Sequence, residues 1–136
     1  ESIRLLKPLG DRAALCESQR GLAELLIERG RIEEAERFAL EARETVGPQD
    51  VTSKATTAGS LAMVRAAQGR DEEADELFKE ALATVADTDF LAIQVEILKP
   101  FAEYLRARGR DEEAARLEKR RAELWPAPEK SPEPIA

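Results

Sequence analysis

Gly69-Arg70-Asp71-Glu72-Glu73-Ala74-Asp75-Glu76-Leu77-Phe78-Lys79-Glu80-Ala81-Leu82 decides how this chain folds, because its first six residues set a pattern that recurs. The pattern stands earlier as Gly30-Arg31-Ile32-Glu33-Glu34-Ala35 and later as Gly109-Arg110-Asp111-Glu112-Glu113-Ala114. The alanines are 39 residues apart (74 − 35) and then 40 apart (114 − 74). A fixed period of this size marks a solenoid, whose units bury their apolar faces only against their neighbours.

Each copy has a mechanical reading. One helix ends, and Gly30, Gly69 or Gly109 takes the left-handed conformation that a side chain resists. A second helix opens with acidic residues in its first turn, where they meet the positive end of its dipole. The alanine sits where the two antiparallel helices cross, a place with no room for a larger side chain. From Ala74 the apolar positions run Leu77, Phe78, Ala81, Leu82 and Val85, a helical stripe that fits no strand. An ordinary helical bundle with chance similarity is the bland alternative, and three in-register copies weigh against it.

Composition narrows the function. The chain has 136 residues, enough for one domain with a real core, and is 43% hydrophobic but only 4% aromatic. Its core is therefore mainly alanine and leucine, as closely spaced helices require. With a net charge of −7 it would repel the phosphates of nucleic acid, while a basic peptide remains compatible. There is no histidine, which removes the commonest general base and the commonest zinc ligand. No cofactor or metal is expected. Cys16 is the single cysteine, read as a small packed side chain in a reducing, cytoplasmic setting. No apolar run approaches the roughly 20 residues of a membrane span. The first residue is Glu1 rather than Met, which suggests a fragment or a processed chain.

Taken in order, residues 1–10 read as the remnant of an upstream helix or linker, interrupted by Pro8. Residues 11–125 form the repeat domain, with units at about 11–47, 50–86 and 88–125, and 126–136 form a proline-rich disordered tail. The fold class is all-α: an α-solenoid of three antiparallel helix pairs. In the first pair, helix A runs from about Asp11 to Arg29 with Leu15, Leu22, Leu25 and Leu26 inward, and helix B from about Arg31 to Val46 with Ala35, Phe38, Ala39 and Ala42 inside. Gly47-Pro48-Gln49-Asp50 is a loop, in which Gly47 can cap. The second pair spans about Val51–Gln68 and Arg70–Ala86. The third follows N-cap candidates Asp87, Thr88 and Asp89, runs to about Arg108 through an expected kink at Pro100, and continues from about Arg110 to Trp125. Gly21 and Gly59 fall at nearly the same helical phase, for which chance is the bland explanation and a shared bend near the groove the sharper one. An apolar strip left exposed around Leu15 and Leu22 is a further expectation, because the first unit lacks an upstream neighbour; self-association through that end follows. The array should stop after the third pair, since Glu118 and Arg121 replace the apolar residues that earlier units carry there.

A second set of matches identifies a family resemblance. Twelve residues before each alanine stand Ala23, Ala62 and Ala102; thirteen before stand Leu22, Leu61 and Phe101; seven after stand Ala42 and Ala81. With the glycine five residues before each alanine, this resembles the tetratricopeptide repeat over about residues 12–125. The chain departs from that family in its longer period, and in carrying Gln19, Ala58 and Leu98 where an early tryptophan is usual. The connecting segments, among them Gly47-Pro48-Gln49-Asp50-Val51 and Ala86-Asp87-Thr88-Asp89-Phe90-Leu91, resemble the C-terminal repeat arrays of large bacterial signalling proteins with P-loop ATPase or nucleotide cyclase modules. No P-loop or cyclase motif occurs here.

The resemblance implies that the A helices line a concave groove for a protein or peptide, which could be another domain of the same parent chain. It places Glu17, Arg20, Glu24, Ile27 and Glu28 there from the first unit, and Thr56, Gly59, Met63, Ala66 and Ala67 from the second. The third supplies Glu96, Lys99, Glu103, Arg106 and Ala107. The implied partner-binding set is Arg20, Glu24, Ile27, Met63, Ala66, Ala67, Lys99, Glu103 and Arg106. The centre is small and the flanks carry mixed charge, which suits an apolar or helical peptide with charged ends. The bland alternative is that these are solvated helix faces. A family clamp for a C-terminal carboxylate is excluded, because Glu24, Met63 and Glu103 hold its central positions.

The leading reading is thus a non-catalytic protein–protein interaction module, a regulatory arm of a bacterial signalling protein. A self-association module or a stand-alone adaptor is the alternative. An enzyme using paired carboxylates is the rival from another class, disfavoured because the acids sit at solvated helix starts.

Overall fold

The computed structural model describes residues 9–124, which form six helices. They are α1 (Leu9–Glu28), α2 (Ile32–Thr45), α3 (Val51–Ala67), α4 (Asp71–Val85), α5 (Leu91–Ala107) and α6 (Asp111–Leu124). Of the expected remnant over residues 1–10, Leu9 and Gly10 belong to α1; its residues 1–8 and the proline-rich tail 126–136 lie outside the described residues.

The repeated hexapeptide builds one turn three times. Gly30, Gly69 and Gly109 have φ of 78°, 77° and 76°. In the first copy Gly30 N–H donates to the Ile27 carbonyl at 3.0 Å and Arg31 N–H to the Leu26 carbonyl at 2.9 Å, and the other two copies repeat both bonds. This double closure satisfies the orphan carbonyls of the ending helix and needs a left-handed residue at its corner. The next helix then begins with the arginine carbonyl accepting from the motif alanine, at 3.0 Å in the pairs Arg31–Ala35 and Arg70–Ala74. Each arginine side chain also pairs with the glutamate just before the motif alanine, as Arg31–Glu34 (2.6 Å), Arg70–Glu73 (2.8 Å) and Arg110–Glu113 (2.6 Å). These acids serve helix starts, and that is their structural use.

The helices pack as three antiparallel pairs: α1 on α2, α3 on α4 and α5 on α6. Successive pairs join through their first helices, α1 to α3 to α5, and each second helix also meets the first helix of the next pair. α3 is the centre of the array, and its small buried residues, among them Ala55, Ala58, Gly59, Ser60 and Ala62, let neighbours approach closely. Ala35, Ala74 and Ala114 are all fully buried at the pair crossings. Three aromatics meet between the second and third pairs. Phe78 stacks on Phe101 with centroids 4.7 Å apart, and Tyr104 closes the cluster 5.7 Å from Phe78. Polar ties reinforce that junction: Tyr104 Oη donates to Asp75 at 2.8 Å, and Arg108 reaches Asp71 at 2.9 Å.

Several expectations need correction. Leu15, Leu22 and Leu25 do not face inward; they are 38%, 39% and 44% exposed, while Cys16, Arg20, Ala23 and Leu26 take the buried side of α1. The exposed strip around Leu15 and Leu22 is therefore present, and Leu25 extends it. α5 starts from Phe90, without a side-chain cap from Asp87, Thr88 or Asp89. Thr88 instead ties the loop, with Oγ1 donating to the Val85 carbonyl at 2.7 Å and accepting from Phe90 N–H at 3.1 Å. Gly47 does not take the left-handed conformation; the loop is settled by Asp50, which caps α3 by accepting from Ser53 N–H at 3.0 Å. Pro100 lies inside α5, as expected. Gly21 and Gly59 differ in setting: Gly21 faces open space, and Gly59 lies against Ile97. At the far end α6 packs mainly on α5 among the described residues, Glu118 is exposed and Arg121 is half-buried.

Candidate functional site

The three first helices, α1, α3 and α5, converge on one open cavity of about 230 Å³. α3 forms its floor with Thr56, Gly59, Ser60 and Met63; α1 contributes Arg20 and Glu24, and α5 contributes Glu96, Ile97, Lys99, Pro100 and Glu103. The floor is low because its side chains are small. A Cβ built on Gly59 would stand 3.8 Å from Ile97 Cγ1, an ordinary contact, so an alanine would fit there and raise the floor by one methyl group. Met63 is half-buried: it lines the cavity and also packs against the main apolar cluster.

Over that floor the long side chains of the outer helices meet. Arg20 is only 9% exposed and pairs with Glu17, with Glu24 at 2.7 Å and with Glu96 of α5 at 3.9 Å. Burial by itself would lower the Arg20 pKa, but the Glu17 hydrogen bond and the Glu24 and Glu96 charges outweigh it, and the net shift is upward. Arg20 is thus held charged. Ser60 Oγ donates to Glu24 at 2.7 Å, which locks that carboxylate to the floor. Arg20 and Glu24 are therefore committed to each other, whereas Lys99 and Glu103 have no ion-pair partner among the described residues. With Glu96 and Glu103 against Lys99, the rim facing a ligand carries a negative surplus.

The structure brings together Arg20, Glu24, Met63, Lys99 and Glu103 of the partner-binding set, along with Thr56, Gly59 and Glu96. It does not bring in the other four. Ile27 and Ala66 pack against the apolar clusters, Ala67 is exposed beyond the floor, and Arg106 pairs with Glu118 at 2.7 Å. All four fall in or next to the last turn of their helices, past the cavity. Sequence reasoning missed Ser60, Ile97 and Pro100. Ser60 had a signal, a hydroxyl beside the floor glycine, but its bond to Glu24 depends on how α1 lies over α3.

Other chemistries find less support. Burial pushes the Cys16 thiol above its ordinary pKa, and its Sγ lies 3.4 Å from the Ala42 carbonyl, so it packs as a small side chain. Among the described residues, no group of three or more Cys, Asp or Glu side chains is placed to hold a metal ion. No described helix is long and apolar enough to cross a membrane.

Comparison with known families adds one finding: the family model described as tetratricopeptide repeat matches residues 55–85, which cover most of α3 and all of α4. No curated protein and no solved structure matches the chain. The middle helix pair is a tetratricopeptide repeat, set between two further pairs of the same build in an all-helical array.

Proposed function

We propose that this chain is a protein-interaction module that holds a peptide segment in the cavity of its first helices. Tetratricopeptide repeats are typically protein–protein interaction modules. The observation that carries the reading is the convergence of α1, α3 and α5 on one cavity with a partly apolar floor and an acidic rim. The segment that suits it places an apolar side chain against Met63 and Ile97 and a lysine or arginine beside Glu96 and Glu103. Methionine adapts to apolar partners of different shape, which fits a site for peptide side chains. The connecting segments support a narrower reading, a regulatory arm of a bacterial signalling protein of the P-loop ATPase or cyclase type. A stand-alone adaptor is the alternative, and the domains encoded beside this one distinguish the two.

A positional peptide library screened against the protein tests the site. The expected selection is an apolar residue next to a basic one, lost in Met63→Glu and inverted towards acidic residues in Glu103→Lys. Selection that is unchanged in both variants, with helical signal intact, places binding elsewhere.

A further inference from the structure

We propose that α1 carries the interface of an antiparallel homodimer, on the side opposite the cavity. The repeat register shows what this face is. In α3 its positions are Thr57, Ser60, Leu61 and Val64, and in α5 they are Ile97, Pro100, Phe101 and Tyr104; all but Pro100 are at most 6% exposed. Leu61 and Val64 pack with Ala35 and Ala39 of the unit before them, and Phe101 stacks on Phe78 of the unit before it. The equivalent α1 residues are Ser18, Gly21, Leu22 and Leu25, and all four are exposed. This is the surface each unit uses to dock on its predecessor, and among the described residues α1 has no predecessor.

The sequence along the stripe points to its occupant. Asp11, Leu15, Ser18, Leu22, Leu25 and Arg29 are all exposed and follow one another at spacings of 4, 3, 4, 3 and 4, the seam of a helix pair. The stripe is self-complementary on reversal. Pairing each position n with 40 − n sets Leu15 against Leu25, Ser18 against Leu22 and Asp11 against Arg29 of a second copy. Leucine meets leucine, the small serine leaves room for Leu22, and opposite charges close both ends of a seam about 27 Å long. Neither Asp11 nor Arg29 has an ion-pair partner among the described residues. A parallel pairing would set aspartate on aspartate and arginine on arginine. A head-to-tail stack would press this stripe onto the charged α6 end, where Glu118, paired with Arg106, and Arg121 would lose water to apolar leucines that offer them nothing in return. The two-fold antiparallel arrangement is the one that matches apolar and charged positions together. Arg20 and Glu24 point to the other side of α1, so the cavity stays open in the dimer.

Sedimentation equilibrium of the full 136-residue chain tests this. The expected mass rises with concentration from 15.1 kDa towards twice that value. Leu22→Glu should stay at the monomer mass with its helical signal intact, because the side chain is exposed in the monomer. Asp11→Arg and Arg29→Asp should each weaken the dimer by about tenfold, two symmetric end pairs turning repulsive. The double exchange Asp11→Arg/Arg29→Asp should restore it. A wild-type chain that remains monomeric throughout overturns the proposal and leaves the stripe to be covered from within the chain or by a further repeat. A double exchange as weak as the single variants overturns the antiparallel register.

Discussion

Arg20 of α1 and Glu96 of α5 stand 3.9 Å apart across α3, although they belong to units two apart in the array. They meet because Gly59 and Ser60 put nothing tall between them. The cavity lies beside this contact and is lined by all three first helices.

The distances imply unequal couplings around Arg20. Its pair with Glu24 is short and the carboxylate is one-third exposed, while Glu96 is half exposed and more distant. Double-mutant cycles should give about 1 kcal/mol for Arg20 with Glu24 and less than about 0.5 kcal/mol for Arg20 with Glu96. The reverse order would mean that α5 closes over Arg20 more tightly in solution.

Ala74 is fully buried between α3 and α4, in contact with the Ala58 and Ala62 cluster. Ala74→Leu forces the helices apart and should lower stability by about 1–3 kcal/mol in chemical denaturation. The same change at the exposed Ala115 should stay within about 0.5 kcal/mol. Equal midpoints for the two variants would contradict the assigned crossing.

Two glycines should respond in opposite directions. Gly69 has φ of 77° with open space around a would-be Cβ, so Gly69→Ala costs backbone strain alone, about 1 kcal/mol. Gly21 lies inside α1, also with open space but in helical geometry, so Gly21→Ala should stabilise by about 0.5–1 kcal/mol. Thermal melts of the pair, run at low concentration, check both signs.

Tyr104 links stability to alkaline pH. Burial, with the hydrogen bond to Asp75, pushes its pKa up to about 12 from an ordinary 10.0. Because the folded value is the higher one, the stabilisation is present below pH 10 and is lost as pH rises towards 12. Urea midpoints should fall more steeply across that window in the wild type than in Tyr104→Phe. At neutral pH the variant should lose about 1.5–3 kcal/mol, the range for a hydrogen bond to a charged acceptor. Parallel pH profiles for the two proteins would show that Tyr104 is not held by Asp75.

Much of this architecture was legible in one dimension because it is local. Gly69 caps, Asp71 and Glu72 favour a helix start, and Ala74 is small for reasons that act within a few residues, so a triplicate motif announces three helix pairs. The resemblance to the tetratricopeptide repeat set Thr56, Gly59, Met63, Glu96 and Lys99 on one side of the first helices, and these five line the cavity. The inward reading of Leu15, Leu22 and Leu25 failed, since hydrophobicity shows that a face wants cover and not whether a neighbour supplies it.

The sequence by itself determined the period, the six helices, the left-handed turns and the crossing alanines, all set by backbone geometry and short-range sterics. Only the tertiary structure decided that Arg20 reaches Glu96, that Ser60 holds Glu24, and that Ile27 and Arg106 fall outside the cavity. Those contacts depend on the angle at which one helix pair lies on the next. That angle is a sum of many packing contacts, and no single residue carries it.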